Sequence, residues 1–195
     1  MTEERTLLIG LGNPGREYAR NRHNMGFMLV DYLVGRLHAR GMRLQSKALV
    51  CPARYEGRQV LLAKPQTYMN LSGHSVQGLA HFYKLPLERL LVAHDDLDLP
   101  FGALRLRPGG GPGGQKGVAS TIERLGSAGF ARLRIGIGRP PGRMDPANYV
   151  LQDFGADQQD ELAEIIERAA DAALFFVTDG IEAAMNRFNR GLRAT

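Results

Sequence analysis

Short apolar runs alternate along this chain with stretches in which apolar residues return at helical spacing. That alternation constrains the fold most, because a short run that is apolar throughout suits a strand buried on both faces. Thr6 to Leu11 (TLLIGL) is the first such run, and Leu90 to Ala93 is another. Leu49 to Tyr55 and Gln59 to Ala63 flank Glu56-Gly57-Arg58 and read as a hairpin. Leu133 to Ile137 reads as a further strand. Between the strands, Phe27, Val30, Val34 and Leu37 predict a helix from about Asn24 to His38. Val76, Leu79, Ala80 and Tyr83 share one face of a second helix, Ser72 to Tyr83, and a short helix is predicted over Val118 to Leu125. Leu162, Ile165, Ile166, Ala169, Ala173, Phe176 and Val177 make a long apolar stripe that Gly180 stops. A last set, Ile181, Ala184, Met185 and Phe188, ends among Arg187, Arg190 and Arg193, where cations suit the helix dipole. Strands alternating with helices predict the α/β class: one compact three-layer domain over residues 1–195, a mixed β-sheet flanked by helices.

The distribution of charge says more than its total of +5. Between Phe101 and Arg143 stand eight bases (Arg105, Arg107, Lys116, Arg124, Arg132, Arg134, Arg139 and Arg143) against one acid, Glu123. That segment therefore carries +7 and leaves −2 for the rest of the chain. A basic half on an otherwise near-neutral protein points to a polyanionic partner. The same segment holds 12 of the 24 glycines, with PGGGPGGQKG at Pro108 to Gly117.

No apolar run approaches the ~20 residues that cross a bilayer. Met1-Thr2-Glu3-Glu4-Arg5 carries acids where a signal peptide carries bases. The single cysteine, Cys51, forms no intramolecular disulfide and reads as a structural thiol. A cytoplasmic protein, acting as a monomer without a membrane partner, is the expectation.

Gly10-Leu11-Gly12-Asn13-Pro14-Gly15 matches G-x-G-x-x-G after a strand. A dinucleotide site requires a helix that opens within the motif, so that its N-terminus meets the pyrophosphate. Pro14 imposes its own turn here, and Gly15 to Arg22 shows no helical stripe. The glycines instead let the chain bend so that Asn13 projects from the strand end. His23 closes this polar loop. In open α/β sheets, sites form beyond the carboxyl ends of strands. One strand ends at Asn13, and another runs into His94-Asp95-Asp96. A histidine acting as a base needs a carboxylate or carbonyl on one ring nitrogen. Asp95 is the first choice for that partner, with Asp96 and Asp98 as alternatives. Asn70 stands near a helix start, where an amide can cap the helix or can polarise an ester carbonyl. His94, Asp95, Asp96 and Asp98 could also be metal ligands, but no second histidine follows at the helical spacing of zinc hydrolases. No G-x-S-x-G elbow is present.

The motifs taken together resemble the bacterial peptidyl-tRNA hydrolase family. Gly10 to Gly15 followed by Tyr18 and Arg22-His23-Asn24 is similar to its opening signature. Tyr68-Met69-Asn70-Leu71-Ser72-Gly73 resembles a second block, and Val92 to Pro100 with the glycine-rich run resembles a third. Arg132 to Gly138 and Phe176 to Gly180 extend the likeness over essentially the whole chain.

The resemblance implies a metal-independent hydrolase, without cofactor, that cleaves the ester between a peptide and the 3′ ribose of tRNA. It implies His23 as general base, stabilised and oriented by Asp95. It implies that Asn13 separates N-blocked peptidyl-tRNA from free aminoacyl-tRNA, and that Tyr18, Tyr68, Met69 and Asn70 contact the substrate. Asn70 is also the expected oxyanion or water partner. Phosphates of the RNA partner would lie on Lys116, Arg105, Arg107 and Arg134, and no DNA is implied. One departure stands out: where the family often reads G-G-H-N-G, this chain has Gly113-Gly114-Gln115-Lys116-Gly117. A lysine cannot accept a hydrogen bond as an asparagine does, so a phosphate contact is expected at Lys116 in place of a water-holding role. An RNA-binding module on the same scaffold without catalysis is the reading outside the enzymes, and the set Asn13, His23, Asn70 and Asp95 argues against it.

Overall fold

The computed structural model describes residues 5–189. Seven strands form one mixed sheet: β1 (Arg5–Gly10), β2 (Arg43–Gln45), β3 (Ala48–Tyr55), β4 (Arg58–Pro65), β5 (Leu90–Asp96), β6 (Leu104–Arg107) and β7 (Ala131–Gly136). Their order is β2-β3-β4-β1-β5-β7-β6. β1 runs parallel to both of its neighbours, β4 and β5, and β5 runs parallel to β7. The edges are antiparallel. Helices α1 (Met25–Arg36), α2 (Ser72–Phe82), α3 (Lys116–Leu125), α4 (Pro146–Val150) and α5 (Gln159–Phe188) complete the architecture.

The apolar runs behave as a strand buried on both faces requires. Leu8 of β1 and Leu91 of β5 point into one core, shared with Met25, Leu29 and Leu33 of α1 and Ile165 and Ala169 of α5. Leu7, Ile9 and Val92 point into the other, shared with Val76 and Leu79 of α2 and Val118 of α3. The three expected layers are therefore α1 and α5, the sheet, and α2 and α3. Cys51 is free and fully buried, and burial pushes its thiol above the ordinary range despite Arg43.

Two short strands depart from the sequence reading. β2 reads Arg-Leu-Gln and β6 reads Leu-Arg-Leu-Arg. Each is an edge strand whose polar alternate residues resemble loop. β5 extends past Ala93 through His94, Asp95 and Asp96, because its backbone keeps pairing with β7. α4 was also not expected; Asp145 caps it by accepting from the Ala147 N–H, and Pro146 follows. The long C-terminal helix breaks at Gly180 (φ 81°, ψ 179°) and then resumes. Met1 to Glu4, Arg190 and Arg193 lie outside the described residues. Among those described, no helix is long and apolar enough to cross a membrane.

One close approach sets the position of the following loop. A Cβ on Gly10 would lie 1.9 Å from the carbonyl oxygen of Gly26, and a Cβ on Gly26 would lie 2.3 Å from the Leu11 nitrogen. The first turn of α1 thus rests directly on the end of β1, backbone against backbone. No helix opens within residues 10–15; two 3₁₀ turns, Arg16–Tyr18 and Arg22–Asn24, precede α1. That geometry agrees with the rejection of a dinucleotide motif.

Candidate active site

The carboxyl ends of β1, β4 and β5 lie side by side at one end of the sheet, since the three strands are parallel. Residues just beyond them line a cavity of about 660 Å³. Asn13 follows β1, Tyr68, Met69 and Asn70 follow β4, and Asp95 and Asp96 end β5. His23, Gln115 and Lys116 complete the inner wall, and Pro146 and Leu151 stand on another side. A smaller cavity of about 460 Å³ at the other end of β1, with Arg5 and Tyr83 in its wall, holds none of the expected site residues.

His23 Nδ1 lies 2.8 Å from Asp95 Oδ2. Asp95 is 3% exposed. Burial by itself would raise its carboxyl; the His23 charge and hydrogen bond, the Gln115 amide and the His94 ring outweigh that and hold it below the ordinary carboxylate range. An ionised Asp95 only accepts, so Nδ1 of His23 donates, and in the neutral ring the lone pair then lies on Nε2. The turn carrying His23 is anchored from below. Arg22 is buried, stacks on Tyr149 at 4.3 Å and donates to the carbonyls of Gln152 (3.2 Å) and Asp153 (3.0 Å).

Asn13 is held on three sides. Its N–H donates to Asn24 Oδ1, and Asn24 Nδ2 donates back to the Asn13 carbonyl, both at 2.9 Å. Its side-chain oxygen accepts from the Met69 N–H at 2.7 Å. Asn70 lies in the 3₁₀ turn Met69–Leu71 and does not cap α2: the N-cap position is Leu71, which makes no capping bond. The exposed Asn70 amide lines the cavity, with Tyr68 beside it 61% exposed.

Each of the remaining carboxylates has another partner. Asp96 accepts from Arg134 Nε at 2.6 Å and from the Asp98 N–H at 2.8 Å. Asp98 pairs with Arg139. His94 is buried, and its Nδ1 donates to the Asp95 carbonyl at 2.7 Å. Burial lowers its proton affinity, with help from the Arg132 charge and against Asp95 and Asp96. Among the described residues, no three histidine, cysteine or acidic side chains converge as a metal site would require. Of the three acids left open by the sequence, Asp95 is the one that contacts His23.

A model of the family described as peptidyl-tRNA hydrolase matches residues 7–195. The chain belongs to the peptidyl-tRNA hydrolase family. It is 50% identical to the peptidyl-tRNA hydrolase of Nocardia farcinica over 184 residues, 94% of this chain and 95% of that protein. It is 51% identical to that of Mycobacterium ulcerans over 185 residues, 94% and 97% of the two chains. The crystal structure of the peptidyl-tRNA hydrolase from Acinetobacter baumannii superimposes with a TM-score of 0.88 at 35% identity, covering 97% of each chain.

The structure brings His23, Asp95, Asn13, Tyr68, Met69, Asn70 and Lys116 to one cavity. It places Tyr18 elsewhere, in the turn Arg16–Tyr18, outside the cavity wall. Arg105 and Arg107 are also outside it, on β6, where they stand opposite Arg134 and Arg132 of β7. Two residues at the site of this peptidyl-tRNA hydrolase family member carry little signal of their own in the sequence. Asn24 stands there only as part of a motif. Gln115 stands there only as a departure from the family pattern, yet it reaches Asp95 Oδ1 at 3.1 Å.

Proposed function

We propose that this chain hydrolyses the ester joining a peptide to the 3′ ribose of tRNA, with His23 as general base and Asp95 as the carboxylate that orients it. The observation that carries this reading is the 2.8 Å pair of His23 Nδ1 and Asp95 Oδ2 in the wall of the cavity. Asp95 keeps the proton on Nδ1, so Nε2 takes a proton from water as that water attacks the ester carbonyl. The imidazolium then formed is stabilised by the same carboxylate and gives its proton to the ribose 3′ oxygen as the bond from the carbonyl carbon to that oxygen breaks, which frees the tRNA and the peptide.

Ester hydrolysis also develops negative charge on the carbonyl oxygen, which aligned donors stabilise. Asn13 offers its Nδ2, since Met69 already occupies its oxygen. Asn70 offers a second amide with no protein partner among the described residues. Asn13 is also the group that would read the first peptide bond of a blocked substrate and so exclude free aminoacyl-tRNA. Tyr68 presents an exposed ring on which a terminal base can stack.

Phosphates would meet Lys116, which opens α3 at the cavity wall, where the helix N-terminus adds its own positive end. Arg105, Arg107 and Arg134 share one face of β6 and β7 and extend that path. Arg134 acts with its charge partly offset by Asp96. One copy of the chain supplies every group named, so the reading calls for a cytoplasmic monomer without cofactor, DNA or membrane.

The test is direct. The protein is incubated with N-acetyl-aminoacyl-tRNA and with free aminoacyl-tRNA, with and without a metal chelator, and ester cleavage is followed. Cleavage of the blocked substrate alone, unaffected by the chelator, is expected. Equal cleavage of both substrates, cleavage of neither, or loss of activity to the chelator would overturn the reading.

A further inference from the structure

Gln115 sits in the glycine-rich segment, between Gly114 and Lys116, yet it is only 9% exposed. Its amide makes three contacts to three different parts of the fold. Nε2 reaches Asp95 Oδ1 at 3.1 Å, at the end of β5. The same nitrogen lies 3.3 Å from Met69 Sδ, in the turn after β4. Oε1 accepts from the Val118 N–H at 2.8 Å and so caps α3. The cap fixes which way the amide points: an acceptor must face Val118, so a donor must face Asp95. Both carboxylate oxygens of Asp95 are then satisfied, Oδ2 by His23 and Oδ1 by Gln115.

The remainder of the loop is tied down as well. Arg132, 3% exposed, donates to the Gly111 carbonyl at 2.6 Å and the Ala128 carbonyl at 3.1 Å. The segment is therefore held at one end by a buried cation and at the other by the Gln115 amide.

We infer that Gln115 is a positioning residue for the hydrolytic reaction: its neutral amide fixes Asp95 in the rotamer that holds His23, and ties that carboxylate to the start of α3 and Lys116. The inference rests on the His23–Asp95 reading above. A side chain that neither gains nor loses a proton in the working range keeps this support constant with pH. It also moderates the carboxylate, since an Asp95 stripped of that donor holds an imidazolium more tightly. The other titratable groups around the dyad are His94 on β5 and Asp96, Asp98, Lys116, Arg139 and Asp145 in the cavity wall. None of them hydrogen-bonds Asp95 Oδ1, which Gln115 Nε2 holds, so the consequence of losing Gln115 falls on the dyad itself.

Two variants of the full chain test this. Gln115→Met keeps length and removes both the donor and the cap. Gln115→Glu keeps the cap acceptor but sets a second carboxyl against Asp95, where two carboxyls share a proton. For Gln115→Met, kcat should fall tenfold or more, KM should stay within threefold, and the acid limb of the pH profile should move upward by about half a unit, an amount typical of losing one neutral donor to a charged group. For Gln115→Glu, thermal stability should stay near that of the wild type, while a new titration enters the kcat profile. Profiles of both variants that superimpose on the wild type in shape, even with a lower plateau, would overturn the inference and leave Gln115 a helix cap only. Wild-type cleavage of blocked substrate and its loss in His23→Ala test the underlying reading separately, so the two failures are distinguishable.

Discussion

The side-chain oxygen of Asn13 accepts from the Met69 N–H at 2.7 Å, which leaves the amide nitrogen of Asn13 as the end that can serve a substrate. One side chain thus joins the loop after β1 to the turn after β4. Asn13→Asp separates the two roles. It keeps the acceptor for Met69 and replaces the donor with a charge. Expected is a kcat loss of about 10²-fold, the scale of one lost oxyanion donor, with an unfolding midpoint near that of the wild type. Activity within threefold of wild type would show that the Asn13 nitrogen is not used.

The His23–Asp95 pair carries the sharpest expectation. His23→Ala should lose nearly all cleavage while still binding tRNA in a filter or mobility assay, and retention of a tenth or more of wild-type activity would rule out the general base proposed here. Asp95→Asn should also be severe, about 10²- to 10⁴-fold in kcat, because an amide can donate to Nδ1 and so force the proton onto Nε2.

How much of this arrangement was visible beforehand varies with the physics behind each part. His23, Asp95, Asn13 and Asn70 could be grouped because parallel strands end together, and a strand buried on both faces is easily read from its apolar run. β2 and β6 could not, since a three- or four-residue edge strand with alternate arginines has the composition of a loop. Arg132 alternates with Ala131 and Leu133 and so reads as solvent-facing, whereas it is buried against Phe130 and loop carbonyls. Gln115 lies among glycines without periodicity, and its role arises only when the loop folds back onto β5. Tyr18 was grouped with the substrate by family likeness, and the fold leaves it outside the cavity wall.

Arg132 yields an expectation about stability. Arg132→Met would take their charged donor from the exposed Gly111 carbonyl and the half-buried Ala128 carbonyl. A loss of about 1–2 kcal/mol in urea unfolding is expected from two such partly solvated bonds. Limited proteolysis should also cut earlier within residues 108–115. A variant as stable as the wild type and as resistant to protease would contradict the clamp.

His94 couples folding to pH. Its proton affinity is lowered from the ordinary value near 6.5, chiefly by burial. Below that value the unfolded chain binds a proton that the folded chain does not, so folding stability is full above it and falls as pH drops. The limiting slope is about 1.4 kcal/mol per pH unit. Urea midpoints between pH 7.5 and 5 should therefore decline for the wild type and flatten in His94→Gln. Parallel curves for the two proteins would remove His94 as the cause.

The basic face makes a kinetic expectation. Lys116→Ala and Arg107→Ala should raise KM severalfold with kcat little changed, as lost uniform binding does, and the salt dependence of binding should become shallower by nearly one unit in slope for each phosphate contact removed. A pure kcat effect would instead place Lys116 in the chemistry.

The contact between Gly10 and Gly26 fixes the base of the loop that carries Asn13 and His23. A single methyl at either position already exceeds the gap beneath α1. The junction therefore tolerates no side chain at either residue. Across the cavity the room is greater: a Cβ on Gly111, Gly113 or Gly114 meets nothing within 4 Å, although Gly113 and Gly114 keep a positive φ (57° and 81°) that favours glycine. Gly111 in addition has no positive φ to defend. The rim formed by the glycine-rich segment is therefore the side with room for a new side chain. Lys116, exposed at that rim, is a side chain that can be exchanged without moving the strand ends.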